Sequence, residues 1–562
     1  MLRMRRIIPI LAAMALAACT ADAADPGDTG TEEPPGCDAA LVRDLSSWAE
    51  AGFSGSIAFA SDAGLGCTAA FGLADAESGT PNTAETVFAI GSVSKAFTAA
   101  AIFDLIDAGE LALDDRAGDL VAGLAGPAAD ATVEQLLLHT SGLTGTHGDD
   151  HVPLGREEAV AALSELDTAF EPGTDFGYSN SGYTLLALII DEVSGESYRD
   201  YMADAILRLP GRDEAAGGFW DGEPAPAGPK AIGYVDGERA ESLGDFAGPH
   251  WAMSGNGDLA MTAADLASWT EAMFDGEVIA PEAVEQLTGT VFEHGDGSVE
   301  APGWVAFDAS VYGTPVYTVA GGGGDTGHNA VVAWLPETHT ALAITSNTSA
   351  VIASELLDAI GPALAAGEPI PVPDEGVEAD PAELAAAEGT YSLESGSVFT
   401  VEAEDGRLAV AADGADAVAA LSVPTGGFTA EDFERHEQAV LALLGGETEA
   451  GRAELETLEA DIGDVRDVAA VGTVVEDGEL RTYVSITADE TTLAWYALDE
   501  HGAVAAVLLD PGPPVFTLVP VGDGEYRQER LDGAGLGVRA VFDGDLMTVT
   551  GPEGTVEAHR NS

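Results

Sequence analysis

The run from Gly367 to Pro381, Gly-Glu-Pro-Ile-Pro-Val-Pro-Asp-Glu-Gly-Val-Glu-Ala-Asp-Pro, does most to limit what this chain can fold into. Proline lacks an amide donor and fixes φ, so neither a helix nor an inner strand runs through such a stretch. The chain has 562 residues, too many for one ordinary core. The break therefore predicts two folding regions: residues 37–368, a linker over 369–382, and residues 383–562.

The first region reads as a mixture. Gly55–Ala60 and Cys67–Phe71 predict two short strands, and Ala330–Leu335 with Thr340–Thr345 a further pair split by Pro336-Glu337. Ser92–Ala108 has helical spacing and stops at Gly109, and residues 131–138 and 182–194 also read as helices. Strands, then helices, then closing strands predict an α+β domain. The second region alternates short strand-like runs with Gly and Asp turns, as at Val398–Val401, Leu408–Ala411, Arg481–Ile486, Val504–Leu509 and Val538–Phe542. It predicts a β-rich accessory region with a helix-containing insert over about 428–510, helical from Glu431 to Asp461. Glu437 beside His436 has no second histidine on its helical face, so both are expected at the surface rather than on a metal.

The first six residues carry three arginines, an apolar run follows from Ile7 to Ala18, and then comes Cys19. A basic start and a short apolar stretch make a secretory signal, here 1–18, too short to span a bilayer. Leu16-Ala17-Ala18-Cys19 resembles a bacterial lipobox. That resemblance implies that Cys19 becomes the first mature residue and carries a lipid, on an exported lipoprotein held at the outer face of the cell membrane or the periplasmic side. Residues 19–36 would be an acidic tether. Outside the cytoplasm the two remaining cysteines, Cys37 and Cys67, are expected to pair.

Asp and Glu number 97 against 21 Lys and Arg, a formal charge of −76. Phosphate backbones need clustered Lys and Arg, so nucleic acid is excluded as a partner. The excess predicts a solvated acidic surface of the halophilic kind, one that gains stability from salt. Expected partners are a small-molecule or peptide substrate and, through lipid alone, a membrane; the oligomeric state stays open.

Lysine occurs only at 95 and 230. Lys95 follows Ser92 by three residues in Ile90-Gly91-Ser92-Val93-Ser94-Lys95, which on a helix puts both on one face. At a helix start the serine amide is unused and the positive dipole end favours an oxyanion. A buried Lys95 there can be neutral enough to accept a proton. Phe176-Gly177-Tyr178-Ser179-Asn180-Ser181-Gly182 offers a phenol and an amide just before a second helix. Taken alone, an N-cap or turn role suits Ser179 or Asn180 better than catalysis.

Phe88–Lys95, Leu136-Leu137-Leu138-His139-Thr140-Ser141-Gly142-Leu143 and Tyr178-Ser179-Asn180-Ser181-Gly182-Tyr183, in that order, resemble the class C β-lactamase, D-alanyl-D-alanine carboxypeptidase and esterase branch of the serine β-lactamase-like superfamily, over residues 40–365. The resemblance implies an antiparallel sheet flanked by helices plus a helical subdomain. It implies Ser92 as acylated nucleophile, Lys95 as its activating partner, Tyr178 as general base and Asn180 as a positioning group, with no cofactor and no metal. His139 would belong to a structural turn.

On the cleft-lining strand this branch carries Lys or His, one residue, then Gly. Here the stretch is Val319-Ala320-Gly321-Gly322-Gly323-Gly324-Asp325-Thr326-Gly327-His328. Counting back from Gly327 and Pro336 puts Gly321 where the cation would stand. Gly321 and Gly322 allow close backbone approach, and an amide near Gly323 or Gly324 would complete an oxyanion hole with that of Ser92. Asp325 would favour a cationic substrate group or serve in a turn, and His328 would line the pocket. The expected activity is acyl transfer to water from an ester or a D-residue peptide, with a β-lactam less favoured. The alternative is a penicillin- or peptidoglycan-binding lipoprotein that does not turn over.

Overall fold

The computed structural model describes residues 37–561, except 213–214, 236, 241–248, 295–296, 323–325, 374–380, 405, 424–427, 429, 447–448, 464, 477–478, 489–490, 499–501, 503, 523, 529–537 and 552–553. The expectations for Cys19, Gly323, Gly324 and Asp325 fall outside the described residues.

An eight-stranded antiparallel sheet organises the first region. Its order is Phe292–Glu293, Ser298–Ala301, Trp304–Phe307, Val316–Gly322, Asn329–Leu335, Thr340–Ser346, Gly55–Ser61, Gly64–Phe71. Side chains alternate across a strand, and here both faces are apolar. Val331, Ala333, Leu342 and Ile344 meet helices Ala39–Glu50 and Ala353–Ala366 on one side. Val332, Trp334, Ala341 and Ala343 meet the larger core on the other. The strands are therefore continuous apolar runs rather than half-polar ones, the pattern of a sheet covered on both faces. Cys37 and Cys67 are disulfide-bonded, joining the segment before helix Ala39–Glu50 to strand Gly64–Phe71.

The larger core includes helices Ser94–Asp107, Val133–Leu137 and Asn180–Ser194. Helix Ser94–Asp107 is buried nearly all round and is preceded by one 3-10 turn, Gly91–Val93. Gly91 adopts φ +50 and Gly109 φ +74, so the helix is entered and left through left-handed glycines.

In the second region eight strands close into a barrel: Gly389–Ser392, Val398–Glu404, Arg407–Asp413, Val515–Gly522, Glu525–Gln528, Arg539–Asp543, Leu546–Gly551 and Gly554–Arg560. The first pairs with the last at Tyr391 and Arg560. Phe399, Val410, Leu518, Tyr526, Met547 and Val549 pack into one buried cluster with Tyr391. Between the third and fourth barrel strands the chain makes helices Ala415–Leu421, Ala430–Leu444 and Glu449–Ile462 and a four-stranded sheet, Asp467–Glu476, Glu479–Thr487, Thr491–Leu498 and Val504–Leu509. The runs at 481–486 and 504–509 thus belong to this insert and not to the barrel. His436 is not at the surface as expected. Its Nε2 accepts from the Leu498 amide at 3.2 Å and its Nδ1 lies 2.7 Å from Thr482 Oγ1, which ties the helix to the sheet. Among the described residues no helix is long and apolar enough to cross a membrane.

Candidate active site

Ser92 sits in the 3-10 turn and Lys95 in the first turn of the helix that follows. The spacing brings Lys95 Nζ to 2.9 Å from Ser92 Oγ. Two other acceptors complete its surroundings: Asn180 Oδ1 at 2.8 Å and the Asn256 carbonyl at 3.0 Å. Lys95 is fully buried, and that burial lowers its pKa to about 7; Asp150 and Glu300 oppose the shift more weakly. Losing hydration disfavours the charged form, and the nearby acids restore only part of that loss.

Tyr178 Oη donates to Ser92 Oγ at 2.7 Å. Its ring is 44% exposed, so the phenol closes one wall of an open site. Desolvation of the hydroxyl pushes its pKa up to about 12, against the hydrogen bond to Ser92. Desolvation thus favours the protonated phenol at Tyr178 and the neutral amine at Lys95.

Tyr178 is held by its own loop. Ser179 caps helix Asn180–Ser194 by accepting from Gly182 N at 3.1 Å, which places Asn180 at the first helical position. His139, itself at φ +55, accepts from Ser179 N at 3.0 Å through Nδ1, and its ring lies 4.5 Å from that of Tyr178. Its carbonyl accepts from Gly177 N at 2.9 Å. Burial holds the imidazole well below its ordinary pKa, so it is a neutral brace.

The strand Val316–Gly322 packs against the Gly91–Val93 turn. A Cβ on Gly321 would lie 2.4 Å from both Ser92 N and Ile90 O, and one on Gly91 would lie 2.7 Å from Gly322 N. No side chain fits at Gly321. It is the obligatory glycine of the strand and not the cation's place, so the expected alignment shifts by two residues. The residue two before it on the same face is Val319, half-buried against the larger core. The Gly322 amide also approaches this turn, 2.7 Å from where a Cβ on Gly91 would stand. His328 is also reassigned. It is buried, its ring lies 4.9 Å from Trp220 and 6.4 Å from Phe88, and burial takes it to about 4. It is a neutral core histidine rather than a pocket wall.

Sequence reading missed two contributors. Asn256 gives Lys95 a backbone carbonyl, and Gly255 before it, at positive φ and against the Tyr183 carbonyl, can bear no side chain, so that glycine was the available signal. Glu300 lies on an inner strand, 6% exposed, with Oε2 3.3 Å from His294 Nε2. Nothing in its sequence neighbourhood marks it.

The comparisons agree with this architecture. The solved structure of the octameric penicillin-binding protein homologue from Pyrococcus abyssi shares the fold, with a TM-score of 0.53, 20% identity, and coverage of 91% of this chain and 98% of that one. PbpX of Bacillus subtilis (strain 168), named as a penicillin-binding protein, is 29% identical over 259 residues, 45% of this chain and just under two thirds, 64%, of that protein. Penicillin-binding protein 4* of the same organism is 25% identical over 361 residues, 60% of this chain and 79% of that one. The Beta-lactamase family model matches residues 32–366, the whole eight-stranded domain, and the chain belongs to that family of serine hydrolases.

Proposed function

We propose that this protein hydrolyses an ester, or an amide such as a peptide bearing D-residues, through an acyl-Ser92 intermediate. The observation that carries the proposal is Ser92 Oγ lying within hydrogen-bond reach of two proton carriers of opposite habit, Lys95 and Tyr178. A neutral lysine has two N–H bonds and a lone pair. Asn180 Oδ1 and the Asn256 carbonyl take the two N–H bonds, which leaves the lone pair aimed at the Ser92 hydroxyl.

Lys95 takes that proton as Ser92 Oγ bonds to the acyl carbon. The oxyanion meets the amides of Ser92 and Gly322. Tyr178 gives its proton to the leaving oxygen or nitrogen as the acyl bond breaks, and regains one from Lys95. Water then attacks the acyl-enzyme, losing its proton to the same pair, which returns one to Ser92 Oγ as the acyl–oxygen bond breaks.

The test follows p-nitrophenyl esters and benzylpenicillin by intact-protein mass spectrometry. Steady ester turnover lost in Ser92→Ala supports hydrolysis. A single stable adduct on Ser92 supports the alternative, a non-hydrolytic penicillin- or peptidoglycan-binding protein. Absence of both, from folded protein, removes the nucleophile assignment.

We also propose export and lipid attachment at Cys19, supported by the basic and apolar flanks before it. Incorporation of labelled palmitate that persists in Cys19→Ala would refute it.

A further inference from the structure

Building on the hydrolase proposal, we propose that the cleft sorts acyl donors by charge: an ammonium-bearing acyl group is favoured, an uncharged one is accepted and a carboxylate-bearing one is turned away. Three observations carry this. Val319 occupies the strand position that faces the Ser92 turn nearest to Gly321, and Gly321 itself can bear no side chain. Among the described residues the strand thus offers a substrate carboxylate no cation. Lys95 has its Nζ within hydrogen-bond distance of Ser92 Oγ, Asn180 Oδ1 and the Asn256 carbonyl, so whether neutral or charged its N–H bonds are taken up within the protein and none is left for a ligand.

The third observation is the charge around the site. The charged side chains whose fields reach Lys95 are Asp150 and Glu300, both acids. Of the histidines nearby, His139 and His147 are buried and held below their ordinary pKa, so they add no positive charge, while His294 pairs with Glu300 and offsets part of its charge. Glu300 is the better placed of the two acids. The turn after its strand seats Gly303 so close to the catalytic helix that a Cβ there would lie 2.6 Å from Ala96 Cα. Its partner His294 stands edge-on to Phe176 at 4.6 Å, two residues before Tyr178. Burial raises the Glu300 carboxyl while His294 and Lys95 favour its ionised form, and whatever charge it keeps behind this thin aromatic wall is poorly screened and acts on the mouth of the cleft.

The test uses three p-nitrophenyl esters of matched length at pH 7.5: 6-aminohexanoate, hexanoate and the half-ester of adipate. The expected kcat/KM falls in that order, with the ends about 100-fold apart, ~2.7 kcal/mol. Glu300→Gln is expected to shrink the ammonium-to-carboxylate ratio about tenfold, with folding checked by circular dichroism and the melting temperature. Val319→Lys is expected to raise the adipate rate selectively, and it stands as an independent arm if the Glu300 variant fails to fold. Turnover with all three rates within threefold, or with adipate fastest, overturns the charge proposal and leaves the hydrolase intact. If all three esters are inert, the hydrolase proposal fails and this one falls with it.

Discussion

Two buried cations in the first region are treated in opposite ways. Lys95 has an acceptor for every donor and sits where burial strips its charge, at about 7. Arg199 is equally buried but cannot lose its proton. It donates to the Asp221 carbonyl at 2.5 Å and lies 3.3 Å from Asp221 Oδ1, with Asp258 acting on the same group. Here the polar atoms are not all satisfied: Arg199 Nε and Asp221 Oδ2 have no partner in the protein. Burial raises the Asp258 carboxyl to about 7. The difference is that a buried lysine can serve as a proton acceptor because its charge is optional. A buried arginine is a permanent charge that can only be matched.

Four measurements would break or sharpen that contrast. The largest effect is expected from Lys95→Arg, which keeps a cation but removes the optional proton. The ester kcat/KM should fall by about 10³-fold or more, ~4 kcal/mol, with the melting temperature little changed. An active Lys95→Arg enzyme would show that charge, and not proton exchange, is what the site needs. Arg199→Leu should act on stability instead. Stranding Asp221 and Asp258 is expected to cost roughly 3–5 kcal/mol by denaturant titration, while Lys95 keeps its partners and the residual folded fraction its rate.

The third is Asp258→Asn. The folded pKa of Asp258 is raised above the unfolded value, so its contribution to stability is present at low pH and is lost as pH rises from about 4 to 7. The variant should flatten stability over that window by an amount on the order of 1–3 kcal/mol. An unchanged pH–stability curve would place the Asp258 titration elsewhere. The smallest effect is the salt response. Ester kcat/KM should rise with pH through about 7 as Lys95 loses its proton, and that midpoint should hold between low and molar salt because the group is buried. The melting temperature should climb over the same range as surface carboxylates are screened. A midpoint that moves with salt would mean Lys95 is open to solvent.

That Ser92, Lys95, Tyr178 and Asn180 meet was legible because they lie at two helix starts, where local spacing fixes geometry. What escaped was contributed by backbone or by long-range pairing. Asn256 acts through its carbonyl, which has no residue-type signature. The register of the glycine run could not be read because four consecutive glycines look alike until one of them meets Ser92 N. The resulting error of two residues is what moved the cation's place from Gly321 to Val319. The strands of the second region were readable one by one. Their closure depends on Tyr391 meeting Arg560, a pairing no local pattern encodes.

Strand Gly55–Ser61 lies between Gly64–Phe71 and Thr340–Ser346, with Gly55 opposite Ser346. During synthesis its hairpin partner is available at once, but its other edge stays open until almost 300 residues more have been made. The first domain therefore cannot assemble progressively from its N-terminus. An apolar strand must wait with unpaired amides and carbonyls, the situation in which chains find one another's edges. The order of manufacture, rather than the finished packing, is then where this domain is most exposed to aggregation.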